Sequence, residues 1–212
     1  EKGLEFAKSL FEAFDKESNI TIQINTLKTS TTDYKQLLSE KNIEFTDNPL
    51  ISDSVILEKG TKITDLPGYS DGLFYVQDSA ANLAVTICDF ALGCKILDAC
   101  ASPGGKTIAA AIKAKADANI LSCDISEKKV KDIAENISRM GFGFVNTKVQ
   151  NAAEFNPEFE NAFDVVIADV PCSGFGVISK KPDIRLKEKD DISKLPKIQT
   201  GIINNVSKYV KL

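Results

Sequence analysis

The sequence predicts an α/β fold: a mostly parallel, doubly wound sheet with helices on both faces, preceded by a small α+β unit. Three observations carry this reading. From about residue 74, strand-length apolar runs alternate with helical stretches, the pattern of parallel strands joined by crossover helices. The run Val165-Val166-Ile167-Ala168 is apolar throughout, as a strand buried on both faces is, and it leads into Asp169-Val170-Pro171-Cys172-Ser173-Gly174. Upstream, Lys95-Ile96-Leu97-Asp98 is a second strand, followed by Ala99-Cys100-Ala101-Ser102-Pro103-Gly104-Gly105 and an Ala-rich helix.

Each element has its own reason. Residues 4–14 place Leu4, Phe6, Ala7, Leu10, Phe11 and Phe14 at helical spacing, with Lys2, Lys8 and Lys16 as a solvated face. Residues 20–24 alternate as a strand, which Asn25-Thr26 interrupts. Residues 32–41 read as a helix with Tyr34, Leu37 and Leu38 on one side. Val55-Ile56-Leu57 and Phe74-Tyr75-Val76 are short strands on either side of a turn-rich segment at 60–72. Residues 1–72 are therefore assigned to the small α+β unit and 73–212 to the second domain.

In that domain Asp78 is expected to cap a helix over 80–90 that contains Cys88. A strand at 95–98, with Cys94 near its start, precedes a helix at 104–114. A strand at 119–123 runs into Asp124, and a helix at 126–140 is closed by Gly141. Strands at 144–149 and 163–169 follow. The last helix is expected over 192–210, with Pro196 marking an early turn or kink. Four strands are fewer than such a sheet usually has. The ending Tyr209-Val210-Lys211-Leu212 is expected to precede a further strand, so the sheet's C-terminal strands are expected to be missing, and Glu1-Lys2-Gly3 is expected to be a boundary within a longer protein.

Composition narrows the function. The formal net charge of −4 is not that of a protein gripping nucleic acid by charge alone. No apolar run approaches the ~20 residues of a membrane span, and no signal peptide is evident. The chain has no histidine, and its five cysteines form no CxxC pair, so no metal site is expected and a reducing cytoplasm is.

Asp98, Asp124 and Asp169 are placed at the carboxyl ends of successive strands, where open α/β sheets bind ligands. Gly104-Gly105 lets the backbone approach a ligand closely, and the helix that follows offers free amides to an anion. Asp124 suits a ribose diol, with a helix cap as the other reading. Asn151, after the next strand, suits an adenine edge. Taken alone, the glycines have a second, plainer reading as turn residues. The loop is neither G-x-G-x-x-G, which weighs against a nicotinamide oxidoreductase, nor a phosphate-binding G-x-x-x-x-G-K-[ST] loop. Cys88, Cys94, Cys100 and Cys123 are expected to be structural. Lys180, Lys181, Arg185, Lys187 and Lys189 are either a solvated loop or phosphate contacts beside the site.

The segment Asp98-Ala99-Cys100-Ala101-Ser102-Pro103-Gly104-Gly105-Lys106-Thr107 resembles the cofactor loop of the Sun family of RNA cytosine-5 methyltransferases. Asp169-Val170-Pro171-Cys172-Ser173-Gly174 resembles that family's second signature. Lys181-Pro182-Asp183-Ile184-Arg185, Asn25-Thr26, Tyr75-Val76-Gln77-Asp78-Ser79 and Asp191-Ile192 leading to Ile198-Gln199 are similar as well. The resemblance covers nearly all of the chain after residue 20 and is strongest to bacterial enzymes of small-subunit ribosomal RNA. It departs at Asn151, usually Asp, at Phe175, usually small or polar, and after Arg185, where an aromatic residue is missing.

The resemblance implies a Rossmann-like class I methyltransferase sheet with S-adenosylmethionine as cofactor. It places cofactor binding on Cys100, Ala101, Ser102, Pro103, Gly104, Gly105, Lys106, Asp124, Asn151 and Asp169. It implies methyl transfer to carbon 5 of a cytosine in RNA, 16S ribosomal RNA first and tRNA as the alternative. Of the two cysteines such chemistry uses, Cys172 matches the one that helps release product. The attacking one belongs to a Thr-Cys motif expected beyond Leu212. Asp169 is then catalytic as well, near the cytosine ring nitrogen. A non-catalytic cofactor-binding fragment is the competing expectation, and an amino-group methyltransferase would place a polar-Pro-Pro-aromatic motif where Asp169-Val170-Pro171-Cys172 stands. The expected partner is RNA, with neither DNA nor a membrane, and the expected state is a cytoplasmic monomer.

Overall fold

A computed structural model describes residues 2–15 and 19–211. Lys16 of the expected solvated face, Glu1 and Leu212 lie outside those residues. The first unit comprises α1 (Gly3–Asp15), β1 (Ile20–Ile24), α2 (Thr31–Glu40), β2 (Phe45–Asp47), β3 (Ser54–Leu57) and β4 (Phe74–Val76). Its sheet runs β2-β3-β1-β4 with every pair antiparallel. Alternation along β1 sends Ile22 and Ile24 into a core with Tyr34, Leu38, Val55, Leu57 and Phe74. It sends Gln23 to the opposite face, where its amide is buried and donates to the Gln77 carbonyl at 3.0 Å. Ser30 caps α2 by accepting from the Asp33 amide, which satisfies one of the helix's unpaired donors. The three-residue β2 carried too little apolar alternation to be read from the sequence. α1 forms where its spacing predicts, yet none of its residues is buried.

The second unit contains α3 (Ser79–Thr86), β5 (Cys94–Asp98), α4 (Gly105–Lys113), β6 (Ala118–Asp124), α5 (Glu127–Met140), β7 (Val145–Val149), β8 (Val165–Ile167), α6 (Lys189–Ser193) and α7 (Leu195–Val206). Its sheet runs β7-β6-β5-β8, all parallel. One face packs Ile96 and Ile120 under Val85, Ile108, Ile133 and Ile137 of α3, α4 and α5. The other packs Leu97 and Cys123 under Ile202 and Val206 of α7. Burying a side chain such as Ile96 or Ile120, both fully inaccessible, contributes about 1.5–3 kcal/mol relative to exposure. Among the described residues no helix is long and apolar enough to cross a membrane.

Several sequence expectations change. The helix after Asp78 stops at Thr86, so Cys88 lies in the turn beyond it. Asp78 occupies the N-cap position without accepting a capping bond, because its carboxylate is paired with Lys180. The strand expected over 163–169 is paired as β8 only at 165–167, which leaves Asp169 two residues beyond its end. The expected final helix is divided into α6, α7 and a 3-10 turn at Ser207–Tyr209. Pro196 starts α7 instead of kinking a longer helix, since a first-turn N–H needs no intrahelical partner. Finally, Val210 leaves that turn to form a parallel bridge with Phe163.

The two sheets are joined by polar contacts that neither unit's own pattern reveals. Arg139 near the end of α5 donates from Nη1 to the carbonyls of Tyr69 at 2.9 Å and Phe74 at 3.1 Å. Its guanidinium lies 4.5 Å from the Tyr69 ring centroid. In return, Asn25 Nδ2 donates to the Met140 carbonyl at 3.4 Å and Lys28 Nζ to the Arg139 carbonyl at 3.3 Å, while the same two side chains bond the first unit's own Gly72 and Asp71 carbonyls at 2.9 and 2.6 Å. Gly72 has φ +65°, and a Cβ there would stand 2.2 Å from the Arg139 carbonyl oxygen, so this contact requires glycine. β4, which the division at residue 72 assigns to the second domain, is hydrogen-bonded to β1. The chain passes from it directly into α3 and so brings the first unit against the strand ends of the parallel sheet.

Candidate active site

β5 ends at Asp98, which is fully inaccessible to solvent. Burial pushes its carboxyl up to about 6, opposed mainly by the Thr107 hydroxyl. Thr107 Oγ1 donates to Asp98 Oδ2 at 2.8 Å and lies 2.8 Å from Ser122 Oγ. A hydroxyl has a single proton, so Ser122 is the donor to Thr107. Asp98 Oδ1 has no hydrogen-bond partner among the described residues. A fully buried carboxylate oxygen without a donor is an acceptor set aside for something else.

The loop after β5 is tightly held. The Ala101 amide donates to the Cys123 carbonyl at 2.8 Å, and the Gly104 amide donates to the Ala101 carbonyl at 2.6 Å. Asn136 of α5 donates to the Pro103 carbonyl at 3.1 Å. Gly104 stands at the N-cap of α4 with φ +101°, a conformation that a side chain would strain. The first-turn amides of α4 therefore open onto the ends of β5 and β8 beside a loop with few side chains. Ser102 is half-buried and Pro103 exposed. The half-buried Cys100 thiol is pushed up to about 11, first by burial and then by the Asp98, Asp124 and Asp169 carboxylates.

The remaining strand ends follow in sheet order. At the end of β6 Asp124 is buried, accepting from the Ser126 amide at 3.0 Å through Oδ1, with Lys129 Nζ 3.8 Å from Oδ2. It thus supports the start of α5 with one oxygen while the other faces a cation. Beyond β7, Asn151 folds its amide into its own turn, accepting from the Ala153 amide at 3.0 Å and donating to Glu154 Oε1 at 2.8 Å. Beyond β8, the exposed Asp169 accepts from Lys106 Nζ at 2.6 Å. This contact joins the glycine loop's helix to the cysteine loop.

Cys172 is exposed on a loop held from both sides. Gln199 of α7 donates to the Pro171 carbonyl at 2.8 Å, and Lys187 Nζ donates to the Ser173 carbonyl at 2.8 Å. Gly174 has φ +78°, and a Cβ there would meet Ile184 at 2.9 Å. Burial pushes up the thiols of Cys94 and Cys123, the latter to about 12. Within the basic stretch, Lys180 pairs with Asp78, Arg185 with Asp15 at 2.6 Å, and Lys187 with the Ser173 carbonyl, so these three cations hold protein groups.

The structure therefore brings Cys100–Lys106, Asp124, Asp169 and Cys172 to one edge of the sheet, with Asn151 at its far end. Sequence reasoning missed the support of Asp98 by Thr107 and Ser122, whose hydroxyls carry no pattern. It also missed Gln77, a matched motif residue to which it gave no role.

A parallel sheet whose order reverses between β5 and β8, with a glycine loop at that reversal, defines a Rossmann-like domain with a ligand crevice at its strand ends. A family model described as "16S rRNA methyltransferase RsmB/F" matches residues 87–212, and a "Methyltr_RsmF/B-like, ferredoxin-like domain" matches residues 3–64. The chain belongs to this 16S rRNA methyltransferase RsmB/F family, which is part of the Sun family. It is 33% identical over 210 residues to the probable ribosomal RNA small subunit methyltransferase B of Bacillus subtilis, covering 95% of this chain and 47% of that protein. It is 32% identical over 208 residues to ribosomal RNA small subunit methyltransferase B of Serratia proteamaculans, covering 96% and 48%. The chain spans about half the length of these curated relatives.

Among solved structures, a methyltransferase homolog protein from Pyrococcus horikoshii superposes with a TM-score of 0.78 at 27% identity, over 94% of this chain and 63% of that one. NSun6 from Pyrococcus horikoshii, solved with SFG, gives 0.83 at 16% identity over 98% and 77%, a likeness of fold.

Proposed function

We propose that this chain is the cofactor-binding and cytosine-facing part of an S-adenosylmethionine-dependent RNA cytosine-5 methyltransferase acting on small-subunit ribosomal RNA in the cytoplasm. The observation that carries this reading is the meeting, at one sheet edge, of an exposed Cys172 thiol with a glycine loop and a buried Asp98 oxygen that lacks a partner. The family and the relatives' names support the substrate.

The residues present fit S-adenosylmethionine. Asp98 Oδ1 is an acceptor for an ammonium, the α4 amides are donors for a carboxylate, Asp124 Oδ2 is an acceptor for ribose hydroxyls, and Asn151 is assigned to the adenine end. When bound, the cofactor supplies a methyl group on a sulfonium, the electrophile that a poorly nucleophilic cytosine carbon 5 requires. Thiolate addition at carbon 6 makes carbon 5 nucleophilic, and expulsion of the thiolate after loss of the carbon 5 proton restores the ring. Cys172 is the thiol that assists release, with attack assigned to the Thr-Cys cysteine. Asp169, held by Lys106, is assigned to the cytosine ring, where a hydrogen bond would favour addition. The base reaches such a pocket only out of its stack, which suits single-stranded or loop RNA.

Two measurements test this. Calorimetry with S-adenosylhomocysteine is expected to show one site, and a folded sample that does not bind refutes the cofactor assignment. In a protein that joins this chain to a Thr-Cys cysteine, Cys172→Ala is expected to accumulate a covalent protein–RNA adduct that survives a denaturing gel. Loss of the adduct in that variant, with wild-type turnover intact, would make Cys172 the attacking thiol.

A further inference from the structure

Gln77 sits where the first unit meets the start of α4. Its main chain is pinned on both sides, the amide donating to the Thr21 carbonyl at 3.2 Å and the carbonyl accepting from Gln23 Nε2 at 3.0 Å. The side chain is 8% exposed. Its Oε1 accepts from Asn82 Nδ2 at 3.2 Å, and that same nitrogen donates to the Tyr75 hydroxyl at 2.9 Å. Asn82 is itself 5% exposed, so the carboxamide's orientation is set by buried neighbours. With Oε1 turned to Asn82, Nε2 is turned to the first residue of α4. A Cβ on Gly105 would stand 3.1 Å from Nε2, so Gly105 is glycine partly to make room for this amide. Among the described residues Oε1 is the side-chain atom of Gln77 that is hydrogen-bonded, and Nε2 donates to no protein group.

Two independent features thus converge on one place. One is the N-terminus of a nine-residue helix, whose first-turn amides are donors. The other is a carboxamide more than nine-tenths buried whose NH2 group points into that terminus with no acceptor of its own. The neighbouring cation, Lys106, is drawn away to Asp169. The α4 amides and the Gln77 amide are donors at this point, which suits a carboxylate, with Asp98 Oδ1 beside them as the acceptor for an ammonium.

We infer that Gln77, delivered by the first unit, is a binding residue for the α-carboxylate at the aminoacyl end of the methyl donor, closing that end of the crevice over Gly105. The inference rests on the cofactor reading above and deepens it. It gives the first unit a direct part in cofactor selection, and it makes the amino-acid end, not only the nucleoside, a determinant of recognition. Asn82 and Tyr75 act behind Gln77 as positioning residues.

The test compares two ligands with the same nucleoside and thioether, S-adenosylhomocysteine and 5′-methylthioadenosine, of which only the first carries the carboxylate. Calorimetry is run on the wild type, Gln77→Leu and Gln77→Glu, with thermal unfolding of each variant confirming the fold. Gln77→Glu keeps the size and the acceptor for Asn82, so it reports even where Leu disturbs packing. Gln77→Leu is expected to weaken S-adenosylhomocysteine about 10-fold and Gln77→Glu more, through like-charge repulsion, with 5′-methylthioadenosine changed less than about 2-fold. Gly105→Ala, which displaces the amide, is expected to give the same selective loss. Equal losses for both ligands, or unchanged S-adenosylhomocysteine affinity, would overturn the role of Gln77 alone. A folded wild type that binds neither ligand would overturn the cofactor reading and this inference with it.

Discussion

Replacing Asp98 by Asn removes a carboxyl that burial holds at about 6 in the folded chain, against 3.8 as its ordinary value. The raised value means that the folded state keeps a proton that the unfolded state gives up. Stability from this group is therefore fully present below about pH 4 and is lost as the pH rises through about 6. The gap between the two values corresponds to about 3 kcal/mol across that window, of which about 1.4 kcal/mol remains at pH 5. The carboxamide that Asp98→Asn introduces cannot titrate, so the variant escapes this loss. Urea unfolding of both proteins at pH 4.5, 5.5, 6.5 and 7.5, without ligand, is expected to show the variant gaining on the wild type as pH rises. Taking the difference cancels every other carboxylate, and any altered bond to Thr107 enters as a constant offset. A difference that stays within a few tenths of a kcal/mol across the range would refute the reasoning. Asp98 would then be either already charged at low pH or far better solvated than its burial implies.

Asp124→Ala is expected to weaken S-adenosylhomocysteine by about 1–3 kcal/mol in calorimetry, since the ribose hydroxyls lose their acceptor; unchanged affinity would leave Asp124 as the support of Ser126 alone. Arg139→Met is expected to cost about 1–3 kcal/mol in urea unfolding, because it leaves the partly buried carbonyls of Tyr69 and Phe74 without their donor. A loss under about 0.5 kcal/mol would mean that other contacts hold the two sheets together.

Much of this chain is legible locally. The alternation in 20–24, the apolar runs ending at Asp98 and Asp124, and Gly141 closing α5 at φ +78° all report on neighbours within one or two turns of chain. Such features follow from side-chain period and backbone sterics, which hold whatever the rest of the fold does. Errors arose where a distant partner competed with the local preference. Asp78 has the residue type of a cap, but Lys180 takes its carboxylate. Phe163 is as apolar as the residues of β8, but its backbone pairs with Val210 and lies outside that strand. The helical spacing of Leu4, Phe6, Leu10 and Phe11 forms a helix without implying burial, since burial needs a surface to pack against.

For the proposed site, the sequence by itself singled out the candidate residues: the acids at strand ends, the glycines before α4 and the cysteine after β8. These are legible because a strand ends in the chain where it ends in space. Only the tertiary structure decided what those residues do to one another. It paired Lys106 with Asp169, left one oxygen of Asp98 without a donor, and swung Gln77 from the first unit over Gly105. Each of these contacts joins segments distant in sequence. They depend on β8 stacking beside β5 and on Arg139 and Asn25 clamping the first sheet to the second, an arrangement set by burial of the whole apolar set and invisible to any local period.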